Sequence, residues 1–195
     1  LLNQLGLIDN PRVLVLSPHP GAEILGCGGL IALLVRGGAS IQVEIVTDGG
    51  FSQQDGDFPK LIEESRAAAA IIGYSDPCYW GWPGRSLRLN RVLIDQITLR
   101  LDRFQPHLLL IPSPWETHPD QLAVASAAIE VVRTSGPAAP QVLFYELEVP
   151  LQANKLIDIS AVAERKSQAV ACFRTESAAR QQARSIIGLN TYRAY

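Results

Sequence analysis

The chain has 195 residues, a length typical of one domain, so we expect a single domain over residues 1–195. Hydrophobic residues make up 47% and charged residues 18%, a composition that supports a substantial core and excludes global disorder. The formal net charge is −2 and the basic residues are scattered, so the sequence predicts no nucleic-acid partner.

The sequence gives only indirect indications of where the protein is located. No apolar run approaches the roughly 18 residues of a membrane span, and no secretory signal is recognisable. The three cysteines are odd in number and far apart, which predicts a reducing, cytoplasmic location. The chain starts with Leu-Leu and lacks methionine, which indicates a domain of a longer protein, with a homo-oligomer as the alternative.

Apolar runs that end at proline or glycine alternate with stretches of helical periodicity along the chain. The predicted strands cover residues 12–18, 41–50, a short piece within 76–87, 107–114, 141–148 and 156–160. The predicted helices cover residues 23–36, 60–73, 89–104, 122–133 and 161–174, and the tail from residue 175. This alternation predicts an α/β fold, a Rossmann-like three-layer α/β/α architecture with a mostly parallel sheet.

Two histidines lie where such a sheet binds its ligands, just beyond the carboxyl ends of the strands. His19 and His118 each follow a predicted strand and precede a proline, whereas His107 begins a strand and is expected to be structural. Two imidazoles with Glu23 and Asp120 nearby in sequence fit a metal site or an acid–base pair. Two His-Pro turns that only cap strands fit the spacing equally well.

The order of motifs resembles the PIG-L/LmbE-like family of zinc-dependent de-N-acetylases, which act on N-acetylglucosamine-type sugars. The resemblance extends from Arg12 to Arg174. It rests on the His-Pro motif, the turn Thr47–Gly49, a helix ending in Ile-Ile-Gly, a Gly-Trp-Pro segment, the THPDQ loop and the late IDIS…ERKSQAVACF stretch. The resemblance implies the LmbE-like fold, a zinc ion and a sugar-like ligand.

The family's site is implied to come from the motifs His-Pro-Asp-Asp-Glu and His-Pro-Asp-His. The first histidine, the second aspartate and the last histidine bind zinc, and the first aspartate is the general base. The first histidine of the second motif supports the developing oxyanion. Zinc with three protein ligands keeps a position open for water, lowers the pKa of that water and polarises the acetyl carbonyl.

The first motif is incomplete in this chain. His19 matches the first zinc ligand and Glu23 matches the closing glutamate. Gly21 occupies the position of the general base, and Ala22 occupies the position of the aspartate ligand. Glycine and alanine have no side-chain donor, so neither the base nor this ligand is present.

The second motif has one loss. His118 and Asp120 match its first histidine and its aspartate, as a catalytic remnant. Gln121 occupies the position of the last zinc-binding histidine, and an amide oxygen is a poor ligand beside imidazole. Because fewer than three good donors remain, we expect a degenerate metal site without a cofactor, and zinc only if the site is functional.

Further residues are predicted to contact a ligand at this cleft. They are Glu23, Asp48, Trp82, Arg85 and Trp115. Glu23 also suits a helix N-terminus and Asp48 a turn, and these structural roles are the favoured ones. The tryptophans are core residues by default, with sugar stacking as the second interpretation. Arg85 ends a Gly-Trp-Pro-Gly-Arg segment in which the family often carries an acid.

Three functional hypotheses follow. The first is a catalytically degenerate family member that binds a sugar-like ligand or serves as a domain of a larger protein. The second is an active N-acetyl sugar hydrolase whose site is rebuilt from Glu23, Asp48, Asp120 and His118. The third is a nucleotide binder with Gly26–Leu30 as a phosphate loop, which the position of these glycines inside a predicted helix disfavours.

Overall fold

Five parallel strands form the central sheet of the computed structural model, within the described residues 1–50, 57–174 and 177–193. The strands are β1 (Arg12–Ser17), β2 (Ser40–Thr47), β3 (Cys78–Trp82), β4 (Leu108–Pro112) and β5 (Gln141–Tyr145). Their order in the sheet is β3-β2-β1-β4-β5, and every neighbouring pair is parallel. The α/β prediction is therefore confirmed.

Helices cover both faces of the sheet. They are α1 (Leu2–Leu5), α2 (Ala22–Arg36), α3 (Asp57–Ile72), α4 (Arg91–Phe104), α5 (Pro119–Thr134), α6 (Ala163–Val170) and α7 (Ser177–Tyr192). Side chains alternate along a strand, so Val13 and Val15 of β1 join the core under α2, α3 and α6, whereas Leu14 and Leu16 join the core under α4 and α5. This gives the predicted three layers.

The predicted strand at residues 156–160 is wrong. Ile157 and Ile159 pack instead against the core that contains α2, and Ser160–Val162 form a 3-10 turn. Gly29 of α2 makes this close approach possible, because a Cβ there would lie 2.8 Å from Cδ1 of Ile159. The alternating apolar side chains are thus partly buried against a helix and not by a sheet partner. Gly26 likewise lies against Tyr145, so these glycines serve helix packing.

A second difference concerns α5, which begins at Pro119 and not at Leu122. Pro119 lies at the first position of the helix, where its missing N–H costs nothing, and His118 is the N-cap residue. The residues that follow the proline in the THPDQ motif therefore lie in the first turn of a helix and not in a loop.

The direction of chain progression reverses between β1 and β4. From β1 the chain continues through β2 and β3 on one side, and it then returns to β4 and β5 on the other. In an open α/β sheet such a reversal creates a crevice beyond the strand ends, where ligands bind. Within the part of the chain that the structure describes, no helix is long and apolar enough to cross a membrane.

Candidate functional site

The turn after β1 is held rigidly at this crevice. The backbone N and Oγ1 of Thr47 both donate to the carbonyl of Pro18, at 2.9 and 2.7 Å. Ser17 Oγ lies 2.8 Å from the carbonyl oxygen of His19. These contacts fix the backbone on both sides of His19, whose side chain is partly exposed.

Gly21, at the predicted base position, lies beneath an aromatic ring. Its φ of 90° and ψ of −20° make it a left-handed N-cap for α2. A Cβ at this position would lie 3.1 Å from Cε1 and 3.2 Å from Cζ of Phe173, which is itself buried. A side chain at position 21 would therefore press against this ring, and the next residue, Ala22, is fully buried.

Glu23 is fully buried and does not present its carboxylate to a ligand at the surface. Its Oε2 lies 2.8 Å from Ser17 Oγ, and its Oε1 accepts from Tyr74 OH at 3.2 Å. Burial raises the pKa of Glu23 above 4.5, against the opposing effect of these hydroxyl groups. Ser17 Oγ is thus within hydrogen-bond distance of both the Glu23 carboxyl and the carbonyl oxygen of His19. The carboxyl thus stabilises the β1–α2 turn.

The second motif is organised by helix capping. His118 Nδ1 accepts from the backbone N of Asp120 at 3.2 Å, so the neutral imidazole carries its proton on Nε2. The buried carboxylate of Asp120 accepts from the backbone N of Arg85 at 2.6 Å and of Leu87 at 3.0 Å. The Asp120 carboxylate therefore fixes the β3–α4 loop, and only the backbone N of Asp120 bonds to the His118 ring in the described contacts.

The two predicted site histidines do come together. The ring centroids of His19 and His118 are 6.1 Å apart, with the planes inclined by 62°. Burial lowers the pKa of His19 below 6.5, and His118 lowers it further, whereas the Pro20 carbonyl, Glu148 and Asp120 oppose this effect. His19 is therefore mainly neutral at pH 7.

Gln121 lies at the base of the crevice and is 1% exposed. Its Nε2 donates to Oε1 of Glu148 at 3.3 Å, while its own Oε1 is buried with no hydrogen-bond partner. A cavity of about 10 Å³ is lined by His19, Leu25, Gln121, Leu147 and Ile186. That volume suits one water molecule or one small polar group.

Asp48 and the 81–85 segment form a second turn cluster. Asp48 Oδ1 accepts from the backbone N of Gly50 at 2.8 Å and of Gly84 at 2.7 Å. Gly84 packs against the Gly49–Gly50 backbone with no space for a side chain. The turn role predicted for Asp48 fits these contacts. Arg85 has a φ of 60° and an exposed side chain.

The two candidate stacking residues lie in different surroundings. Trp82 packs edge-to-face with Trp80, with centroids 5.5 Å apart, against the core under α4 and α5. Trp115 is 68% exposed on the loop after β4. Of the two, only Trp115 presents an open aromatic surface to solvent.

Several residues that build the crevice come from segments that carry no recognisable motif. Buried Glu116 accepts from the backbone N atoms of Leu147, Glu148 and Val149 at 2.7, 3.0 and 3.1 Å, and so fixes the segment after β5. Ile186 of α7 closes the cavity from the carboxyl-terminal side. Glu116 directly precedes the THPDQ motif in the loop after β4, and this position is the one signal that the sequence offers for it.

The donor set does not fit a catalytic zinc ion. Across residues 1–50, 57–174 and 177–193 there is no group of three or more His, Cys, Asp or Glu side chains placed to hold a metal. Of the three predicted ligand positions, only His19 carries a good donor. Catalytic zinc sites use three protein ligands, and Ala22 and Gln121 do not supply the other two.

Residues 14–132 match the family described as PIG-L: GlcNAc-PI de-N-acetylase. The chain belongs to this family. It is 28% identical over 186 residues to a diacetylchitobiose deacetylase of Thermococcus kodakarensis, covering 83% of this chain and 68% of the relative. It is 29% identical over 155 residues to a 1D-myo-inositol 2-acetamido-2-deoxy-alpha-D-glucopyranoside deacetylase of Mycobacterium sp. (strain KMS), covering 62% of this chain.

The chain spans only half the length of that mycobacterial relative. Among solved structures, a conserved protein of Thermus thermophilus superposes with a TM-score of 0.82 at 22% identity, over 93% of this chain and 87% of the other. At that identity the likeness establishes the fold alone, and it confirms the three-layer architecture predicted from the sequence.

Proposed function

We propose that this PIG-L family chain does not carry out zinc-dependent deacetylation, and that it binds a sugar-like ligand in the crevice beyond β1 and β4. The observation that carries the proposal concerns Gly21, which occupies the predicted position of the general base. Gly21 carries no side chain, and a Cβ there would lie 3.1 Å from the Phe173 ring, so the base position has no carboxylate and little space for one. The absence of good zinc ligands at Ala22 and Gln121 supports the same conclusion.

The ligand class follows from the relatives. Their names specify deacetylases of diacetylchitobiose and of a 2-acetamido-2-deoxy-glucopyranoside, both of which are acetylated amino sugars. In this chain two imidazoles, an amide and the Glu148 carboxylate lie around the crevice beyond β1 and β4. Such polar groups at the base of a cleft suit a hydroxylated ligand.

The alternative, an active hydrolase with a rebuilt site, has weaker support. Of its candidate groups, Glu23, Asp48 and Asp120 are buried and accept hydrogen bonds from within the chain. Each therefore has a structural partner that it would have to leave in order to act on a substrate. His118 Nε2 remains as a hydrogen-bond donor but has no carboxylate partner in the described contacts.

Two measurements test the proposal on the purified full chain. We expect elemental analysis to give well under one zinc per chain, and no release of acetate from N,N'-diacetylchitobiose or N-acetylglucosamine with or without added zinc. Stoichiometric zinc that disappears in His19→Ala would contradict the proposal. Turnover lost in His118→Ala, but kept in the control His107→Asn, would establish the alternative. The control is suitable because the described hydrogen bond of the His107 ring is a structural one, from Arg12 N.

The predicted cytoplasmic location, the place in a longer protein and the homo-oligomer stay predictions. A sedimentation measurement of the purified chain tests the last of these directly, because a stable dimer doubles the mass of the sedimenting particle.

A further inference from the structure

Strand β5 forms one edge of the sheet, and among the described residues no strand pairs with its outer side. The backbone N of Gln141 donates to the carbonyl of His107 at 3.0 Å, so the backbone groups of Gln141 are directed to the β4 side. These groups alternate along a strand, so Val142 and Phe144 direct their N–H and C=O groups away from β4. Within residues 1–50, 57–174 and 177–193 these groups have no hydrogen-bond partner, and such a row is a template for another strand.

The two edges of the sheet differ in how they are protected. At the β3 edge the register shifts between Ile45 and Thr47, and Gly81 has a φ of 69°. A bulge of this kind turns an edge away from further pairing. Gln141–Tyr145 instead pair with β4 in continuous register, without glycine, proline or charge, and Phe144 is 43% exposed. The β5 edge therefore lacks the features that keep an edge strand from pairing.

The charge of this region fits a second copy of the same chain. Residues 134–145 carry no charged side chain. A two-fold axis brings the same segment of both copies together, so a charge on it would lie near its like and destabilise the pairing. Recognition of a different protein draws on complementary charge, and this segment supplies none.

We propose that β5 pairs in antiparallel orientation with β5 of a second copy, about a two-fold axis at Leu143, so that the two sheets become continuous. Val142 then lies opposite Phe144 of the partner subunit, and the symmetric pair completes the contact. Each pair exchanges two backbone hydrogen bonds, so the outward N–H and C=O groups of Val142 and Phe144 are all satisfied in both copies.

The neighbouring registers are less favourable. A shift of the axis toward the start of β5 brings in Pro140, which has no N–H to donate. A shift toward the other end brings in Glu146, which lies beyond the end of β5 and whose carboxylate is held by Arg193 and by Leu151 N. Leu143 is therefore the centre that uses strand residues alone.

The side chains match in the same register. Val142 packs on the core under α4 and α5, and Phe144 lies on the same face because side chains alternate. Each Val142 therefore meets the ring of the partner's Phe144, an apolar cross-strand pair. Leu143 packs on the opposite face, against the core under α2, and meets Leu143 of the partner subunit.

The pairing does not involve the crevice. Each crevice lies beyond the carboxyl ends of its own strands, and antiparallel pairing places these ends of the two copies at opposite ends of the joined sheet. The inference therefore does not depend on the proposed function.

Sedimentation equilibrium of the purified full chain, over a wide range of concentrations, tests the pairing. We expect a monomer–dimer equilibrium. Phe144→Lys places a charge on the edge and changes two cross-strand pairs at once, so the Kd of the dimer should rise at least about tenfold. Val92→Lys is the matched control, because Val92 is 61% exposed on α4, and it should leave the Kd unchanged. Unchanged urea midpoints of the monomers show that both variants fold.

Hydrogen exchange followed by NMR at single amides tests the register. In the dimer the amides at positions 142 and 144 should be protected, and dilution of the wild type should remove this protection without any substitution. The amides of Leu143 and Tyr145 point toward β4 and should stay protected at every concentration, so they are the internal control.

Three results would overturn the inference. The first is a monomer at every concentration, or assembly beyond the dimer. The second is a dimer whose Kd is the same in Phe144→Lys, or in which the amides of Val142 and Phe144 exchange freely, because the interface would then lie elsewhere. The third is protection of these two amides in a particle of monomer mass, because another part of the same chain would then cover the edge.

Discussion

The contact between Gly21 and Phe173 gives the sharpest test of the proposed loss of the base. Gly21→Ala places a Cβ at a φ of 90° and within 3.1 Å of a buried ring. A left-handed backbone costs a non-glycine residue about 1–2 kcal/mol, and forcing an extra atom into a packed core costs about 1–3 kcal/mol. We therefore expect urea unfolding, followed by circular dichroism, to show a loss of about 2–5 kcal/mol.

A double-mutant cycle with Phe173→Leu separates the strain from the contact. Leucine lacks both ring atoms that the new Cβ would meet, so we expect Gly21→Ala to cost at least about 1 kcal/mol less in that background. Gly188→Ala is the control, because its Cβ would meet nothing within 4 Å on an exposed face of α7, and it should stabilise the chain by about 0.5–1 kcal/mol. Equal costs of Gly21→Ala in both backgrounds would refute the role of the ring, and an unchanged stability would refute the whole argument.

The remaining predictions concern stability and metal binding. Asp120→Ala leaves two backbone N–H groups of the β3–α4 loop without their acceptor, so urea unfolding should show a loss of about 2–4 kcal/mol, and Asp120→Asn should lose less because it keeps one acceptor oxygen. Burial lowers the pKa of Lys166 from 10.5 to about 8, so the unfolded chain binds more protons between these values and stability should rise with pH across that window. This rise in the free energy of unfolding amounts to about 3 kcal/mol at most. Lys166→Met should remove it, which a comparison of the urea midpoints of variant and wild type at pH 7 and pH 10.5 tests. Ala22→Asp combined with Gln121→His supplies two donors beside the surviving histidine, so calorimetry should show zinc binding that the wild type lacks, and each single variant should bind zinc more weakly.

The layers and the place of the site were predictable because they depend on local patterns. Apolar runs that end at proline give β1 and β4, and the histidines that follow them must meet at the strand ends of a parallel sheet. The error at residues 156–160 has a physical cause. The alternation of Ile157 and Ile159 is the same for a strand and for an extended segment packed on a helix, and only the space left by Gly29 distinguishes them.

The closure of the crevice was not predictable in this way. Phe173 lies far along the chain from Gly21, and Ile186 and Glu148 enter from segments that follow the last strand. No local periodicity links these residues to the motifs. The unpaired state of Gln121 Oε1 likewise depends on which groups surround it in space.

The motif residues that this chain retains have structural tasks, and this limits what their presence says about activity. The carboxylates of Asp48 and Asp120 accept backbone N–H groups of the β3–α4 segment, and Glu116 does the same for the segment after β5. The chain needs these carboxylates to keep its loops in place whether or not it acts on a substrate. By contrast, no side-chain contact of this kind is possible for Gly21 or Ala22, and positions 21, 22 and 121 are the ones predicted from the sequence to have lost the base and two zinc ligands. A loss of sugar binding in Asp120→Ala would therefore indicate a displaced loop, and only Asp120→Asn, checked for an unchanged urea midpoint, can reveal a direct contact with the ligand.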